Sequence, residues 1–377
     1  MLADCFLDDN LINSIKDYDF EKVGKAFRLV GTPFFAYKLP SGNINQTYKV
    51  TYLNPDKTKK SYLFQKVNTF VFKKPEEVME NIDKVTTHIY KKRGGVNALH
   101  FHHTDDGKNY FEEPDTDYFW RVRNFFESVT FDVCNDLNTL YQAGVAFGEF
   151  QRDLQDFDAS LLHETIKDFH NTKKRLETLF ADAEADVCGR VREVKKELRY
   201  IESVRDKACT LINLLEEGEI PLRVTHNDTK INNVLFDPEG ANPLTVIDLD
   251  SVMPGLVAYD FGDAIRFSAN TAAEDEKNLS LISMDLEQFK AFTEGFLPCV
   301  KETLTLREAE TMAMGAFCIT IELAARFLDD YLTGDKYFKI LYPEHNLVRT
   351  RAQLKLAKDM EKKLDEMKKI VMDLFEE

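Results

Sequence analysis

The spacing of apolar residues changes near residue 127, and the kind of element the chain predicts changes with it. Before that point, apolar residues alternate or cluster in short runs bounded by turn formers. Phe34 to Leu39, Thr47 to Leu53 and Ser61 to Val67 read as strands, separated by the breakers Pro40-Ser41-Gly42-Asn43 and Asn54-Pro55-Asp56-Lys57. Pro75 opens a helix that runs to about Lys92. Glu76 and Glu77 suit its positive N-terminal end, and Gly94-Gly95 closes it. A hairpin is expected from Ala98 to His103 and Asn109 to Glu112 around Thr104-Asp105-Asp106-Gly107, and Tyr118 to Phe126 supplies a further strand.

Beyond residue 127 the spacing is mostly helical, over Phe131 to Gln142, Ser160 to Ala183 and Val187 to Glu216. Apolar runs at Leu222 to Thr225, Val234 to Phe236 and Leu244 to Leu249 interrupt these helices, with a polar turn at Asp237-Pro238-Glu239-Gly240. Ala309 to Leu328 is apolar-rich but carries Glu310, Glu322 and Arg326, so it reads as a buried helix rather than a membrane span. Ala357, Met360, Leu364, Met367, Val371 and Leu374 follow helical spacing. That stretch is too short for a coiled coil, so it is expected to pack on its own lobe, and a monomer is expected. The pattern predicts an α+β chain of two lobes. Residues 1–127 would form a small five-stranded antiparallel lobe with one inserted helix, and residues 128–377 a larger, mainly helical one.

Composition narrows the partners. A chain of 377 residues with 44% hydrophobic and 30% charged residues can bury a sizeable core, and its net charge of −16 argues against binding nucleic acid. Cys5, Cys134, Cys188, Cys209, Cys299 and Cys318 are scattered with no C-x-x-C pair, as expected of reduced thiols in a cytoplasmic protein. Met1 to Asn10 is acidic, with no basic start or long apolar run, so no secretory signal or membrane partner is expected.

The candidate chemistry lies in His226-Asn227-Asp228-Thr229-Lys230-Ile231-Asn232-Asn233, followed by Val246-Ile247-Asp248-Leu249-Asp250. Phosphoryl transfer needs a carboxylate to accept the attacking hydroxyl's proton, a cation at the phosphate and oxygen ligands for Mg²⁺. Asp228 is the candidate base, Lys230 reaches the transferring phosphate, and Asn233 and Asp248 hold Mg²⁺. The spacing H-x-D-x-K-x-x-N matches a kinase-type catalytic loop. ATP is the expected donor. On the nucleotide-gripping lobe, Lys66 on the third strand is expected to hold phosphates, with Glu80 of the following helix as its partner and Glu77 as the alternative. Gly42 and Asn43, in Ser41-Gly42-Asn43-Ile44-Asn45, would cover the phosphates, and no G-x-x-x-x-G-K-[ST] loop is present. His226 is read as a brace of the catalytic loop. Asp260 and Asp263 are read as a hydrogen-bonded support beneath it. His100, His102 and His103 do not share one strand face and are not read as a metal site.

His226 to Asn233, Asp248 and Tyr259-Asp260-Phe261-Gly262-Asp263-Ala264 together resemble the aminoglycoside phosphotransferase / choline kinase superfamily of small-molecule kinases, which have a protein-kinase-like fold. Asp248-Leu249-Asp250 in place of D-F-G, and no A-P-E, set the chain apart from protein kinases. Within that superfamily the catalytic run, Asp248 to Leu256, Val67 to Ile82 and Arg326 to Arg349 resemble the N-acetylhexosamine 1-kinases, over about residues 30 to 355. That resemblance implies transfer of the ATP γ-phosphate to the anomeric hydroxyl of GlcNAc or GalNAc. It implies that Asp228 contacts this hydroxyl, that Phe267, Arg326 and Tyr337 line the sugar pocket, and that Ile44 touches the sugar from the first lobe. The alternatives are another acceptor (choline, an aminoglycoside or a neutral hexose) or a catalytically silent nucleotide- or sugar-binding protein.

Overall fold

The computed structural model describes residues 13–40 and 44–377, so Cys5, Gly42 and Asn43 lie outside the described residues. The chain divides into two compact units, Met1–Glu127 and Ser128–Glu377.

The first unit begins with helix α1 (Phe20–Ala26), whose N-terminus is capped by Asp19 accepting from the Lys22 N–H at 2.8 Å. Strands β1 (Thr32–Lys38), β2 (Gln46–Leu53) and β3 (Lys59–Val67) follow, then helix α2 (Pro75–Arg93) and strands β4 (Phe111–Glu112) and β5 (Phe119–Asn124). They form one five-stranded antiparallel sheet in the order β1-β2-β3-β5-β4. Alternation along the strands gives the sheet two distinct faces. One face buries Tyr48, Tyr52, Phe64, Trp120 and Val122 against Phe20 and Val23 of α1, with the Phe20 and Phe64 rings edge-on at 5.6 Å. The opposite face carries Gln65 and Arg121 and meets α2 through Met79.

The hairpin expected between 98–103 and 109–112 does not form. Both segments lie along the same edge of β5: β4 pairs with Phe119 and Trp120, while Phe101 bridges Arg123. Their backbone groups are used by β5, as when His102 N–H donates to the Val122 carbonyl at 2.8 Å, and so are not available to each other.

In the second unit α3 (Leu137–Asp153) starts later than its apolar spacing suggested, because the Asp136 carboxylate caps the Thr139 N–H at 2.8 Å. The helix expected from Ser160 likewise begins only at Thr172, after an Asn171 cap, as α4 (Thr172–Ala185). The single helix expected over 187–216 is broken into α5 (Lys195–Ser203), α6 (Arg205–Ala208) and α7 (Thr210–Glu216), where ψ opens to 8° at Val204 and 0° at Cys209. Two short ribbons then interleave: β6 (Arg223–Thr225) pairs with β9 (Met253–Gly255), and β7 (Val234–Phe236) with β8 (Pro243–Val246). Four helices complete the unit: α8 (Val257–Ser268), α9 (Leu286–Val300), α10 (Leu306–Thr333) and α11 (His345–Glu376).

Helix α10 is the core of this unit. It is long and apolar enough to cross a membrane, yet it is buried among α4, α8 and α11. Gly262 of α8 and Gly315 of α10 let the two backbones touch, since a Cβ on Gly262 would overlap the Gly315 carbonyl. The apolar stripe Met360, Leu364, Met367 and Val371 of α11 is buried within the unit.

Candidate active site

The catalytic loop lies between β6 and β7, and two carboxylates at the start of α8 hold its backbone. Asp260 accepts the His226 and Asn227 N–H groups, both at 2.7 Å, and the Gln151 amide of α3, also at 2.7 Å. Asp263 accepts the Thr229 N–H at 3.2 Å and is itself clasped by Arg266 at 2.9 and 3.0 Å. Both carboxylates are buried, and burial pushes Asp260 above the usual carboxylate range, against the two N–H donors. Burial also works to lower the Arg266 pKa, but Asp263 and Glu274 outweigh it and hold the guanidinium above its ordinary value. Asn227 can therefore keep the left-handed φ of +63° that turns the loop.

His226 acts as a brace. Its Nε2 bonds the Ile247 carbonyl at 2.8 Å and its Nδ1 receives the Asp228 N–H at 3.2 Å, which commits both ring nitrogens to the backbone. Asp228 is then presented with its carboxylate 2.9 Å from Lys230 Nζ. Burial alone would lower the Lys230 pKa, but Asp228, with Asp248 and Asp263, carries it above the ordinary value. Asn233 donates its Nδ2 to the Asp228 carbonyl at 2.8 Å and to Oδ2 at 3.2 Å. That commits the amide nitrogen and leaves Oδ1 as the acceptor end.

Asp248 follows directly. The Ile247 N–H donates to the Asn233 carbonyl at 2.8 Å, so Asn233 lies across the β7–β8 ribbon from the residue before Asp248. Asp248 is exposed and left-handed, with φ +62°. One carboxylate and one amide oxygen fit Mg²⁺, which takes few protein oxygens and completes its shell with phosphates and water. Among the described residues no group of three or more His, Cys, Asp or Glu is placed to hold a metal.

A second cluster in this unit gathers around Arg326. Its guanidinium lies 4.9 Å from the Phe169 ring, 5.6 Å from Phe338 and 5.9 Å from Tyr337. The buried Asp330 carboxylate shapes the loop carrying Tyr337 and Phe338 by accepting the Lys336, Tyr337 and Phe338 N–H groups at 2.8, 2.8 and 3.0 Å. Asn346 of α11 ties Asp330 and Asp335 together, so the first turn of α11 anchors this loop. His170, next to Phe169, joins the cluster to the catalytic loop: Nδ1 bonds Glu322 at 2.8 Å and Nε2 faces the Asn227 carbonyl at 3.3 Å. Phe267 lies under the Arg266 guanidinium at 4.0 Å. Gln151, Phe169 and His170 carry no motif of their own, and only their partners single them out; Asp330 lies within the Arg326 to Arg349 stretch and Glu322 within the apolar helix, but spacing alone assigns neither a role.

The Lys66–Glu80 partnership expected from sequence requires correction. Lys66 stands opposite Trp120, on the face that packs against α1, and its ammonium lies 4.0 Å from the Tyr118 ring and 5.0 Å from Tyr18. Glu80 is on α2, beside the other face, and pairs with Lys84 at 2.6 Å. The sheet separates the two. Ile44, Lys66, Asn68 and Tyr118 line a groove of about 250 Å³ in this unit.

The model of the phosphotransferase enzyme family known as APH matches residues 37–282 of this chain. The chain belongs to that family. Solved structures share the phosphotransferase fold along nearly the whole length. A microcompartment-associated aminopropanol kinase matches with a TM-score of 0.61 at 16% identity, over 92% of this chain and 98% of that one. Choline kinase from Cryptosporidium parvum matches at 0.55 and 13%, over 96% and 100%. A spectinomycin phosphotransferase solved with ADP and spectinomycin matches at 0.57 and 13%, over 90% and 98%. Identities this low speak to the fold, which is the small antiparallel sheet and mainly helical second unit described above.

Proposed function

We propose that this phosphotransferase moves the γ-phosphate of Mg-ATP to the anomeric hydroxyl of an N-acetylhexosamine, giving the sugar 1-phosphate and ADP. The observation that carries the reading is the Asp228 carboxylate held beside Lys230 at 2.9 Å and beside the Asn233 amide at 3.2 Å. In this reading Asp228 accepts the hydroxyl proton as the sugar oxygen bonds to the γ-phosphorus and the bridge to the β-phosphate breaks. Lys230 sits against the Asp228 carboxylate beforehand and offers its ammonium to the transferring phosphoryl oxygens. Asn233 and Asp248 would hold Mg²⁺, which when bound neutralises charge on the β- and γ-phosphates.

The acceptor reading rests on the C-terminal motifs and on the cluster they build. Arg326 among Phe169, Tyr337 and Phe338 offers aromatic faces to a sugar ring and a fork of donors to acetamido or hydroxyl oxygens. The same guanidinium disfavours choline or an aminoglycoside, because a cationic acceptor would meet a fixed positive charge.

The deciding experiment follows ADP release from Mg-ATP with GlcNAc, GalNAc, glucose, choline or kanamycin, against a no-acceptor control. The proposal expects release with the two N-acetylhexosamines and a product that no longer reduces alkaline copper. Release only with another acceptor overturns the substrate while keeping the kinase chemistry. Silence with all five overturns the kinase.

A further inference from the structure

We propose that Arg121 of β5, steadied by Gln65 of β3, grips the nucleotide phosphates in this chain, and that Lys66 does not. The inference rests on the ATP-kinase reading above. In kinases the gripping lysine stands on the third strand and pairs with a glutamate of the helix that follows it, which puts it on the face toward that helix. Here that helix is α2, and the β3 residue on its side is the neutral Gln65. Lys66 points the other way, into the rings of Tyr118 and Tyr18. Its stem would have to pass through a hydrogen-bonded sheet to reach the α2 face.

A cation does stand there, one strand over. Arg121 pairs directly with Gln65 across β3 and β5, and its Nε donates to Gln65 Oε1 at 2.9 Å. Gln65 in turn donates Nε2 to Thr47 Oγ1 on β2 at 3.1 Å. Three strands therefore fix the plane of the guanidinium, while Nη1 lies 3.7 Å from Met79 Sδ of α2. Arg121 is only 3% exposed, so its fork is pre-organised rather than swinging in solvent. A planar fork of N–H donors matches phosphate oxygens in pairs, a geometry that a lysine ammonium cannot supply. The charge needed on the α2 face has moved from β3 to the adjacent position on β5.

The test separates phosphate binding from folding by titrating Mg-ADP and adenosine in parallel by calorimetry. Arg121→Met is expected to weaken ADP by about 10- to 100-fold, the scale of a lost charge-assisted contact, while adenosine stays within about twofold. Lys66→Met is expected to leave both ligands within about twofold of wild type. Adding Gln65→Lys to Arg121→Met restores a cation to the α2 face and should recover most of the ADP affinity, which a purely structural arginine would not allow. Should Arg121→Met fail to fold, Arg121→Lys takes its place, with ADP at least about threefold weaker and adenosine unchanged. ADP affinity lost in Lys66→Met but kept in the Arg121 variant overturns the proposal, as does an Arg121 variant that loses ADP and adenosine equally. Wild-type protein that binds neither ligand overturns the kinase reading itself, and the proposal with it.

Discussion

The catalytic loop of the second unit and the α2 face of the first unit's sheet are built on opposite plans. Asp228, Lys230 and Asn233 come from one short run of sequence and touch each other directly. Arg121 and Gln65 are 56 residues apart and meet only because β5 pairs with β3 in one register. A loop that doubles back on itself draws its functional groups from one short stretch of chain. On a strand, moving one residue reverses the face, so a motif read along the chain can name the right strand and the wrong side chain.

The sharpest way to test the local plan is Asp228→Asn, which should lower turnover by about 10²–10⁴ with the fold retained, read by ADP release and circular dichroism. Near-wild-type turnover would remove Asp228 from its role. Asp248→Ala should next abolish the Mg²⁺ dependence of ADP binding, and a titration with and without EDTA would reveal any response that persists. Removing the support rather than the chemistry is expected to cost stability. Asp260→Ala strands the His226 and Asn227 N–H groups and the Gln151 amide, and should lower unfolding free energy by about 2–4 kcal/mol in urea. Gly262→Ala should cost about 1–3 kcal/mol through overpacking at the α8–α10 crossing, measured the same way.

The smallest effect distinguishes the two units by the sign of their pH response. His102 in the first unit is pushed down to about 4, first by burial and then by His100. A depressed folded pKa contributes stability that is present above the ordinary histidine value and lost as pH falls through about 4. Asp329 of α10 is pushed up to about 7 by burial and by its contact with Asp182. A raised folded pKa contributes stability that is present below the ordinary carboxylate value and lost as pH rises through about 7. His102→Asn should therefore flatten the acid side of the urea-midpoint profile and Asp329→Asn the neutral side; an unchanged slope in either variant refutes that group's contribution.

Much of the molecule was legible along the chain because the signals were short-range. Asp260 and Asp263 read as a support beneath the loop, and their carboxylates hold its N–H groups. The strands β1 to β3 and helix α2 fall close to where alternation and Pro75 placed them. Helix starts were less legible, since the caps at Asp136 and Asn171 outweighed apolar spacing that began several residues earlier. The edge of the sheet is not legible, because a turn at Thr104 looks the same in sequence whether its arms pair with each other or both pair with β5.

By itself, then, the amino-acid order determined the class of the chain and the local pairing of Asp228 with Lys230 and Asn233, because each depends on residues near one another in sequence. Tertiary structure alone decided which cation stands on the α2 face, which rings enclose Arg326, and how His170 links that cluster to the loop. Those choices depend on strand register and helix packing, which bring distant residues together and leave no periodic trace in the sequence.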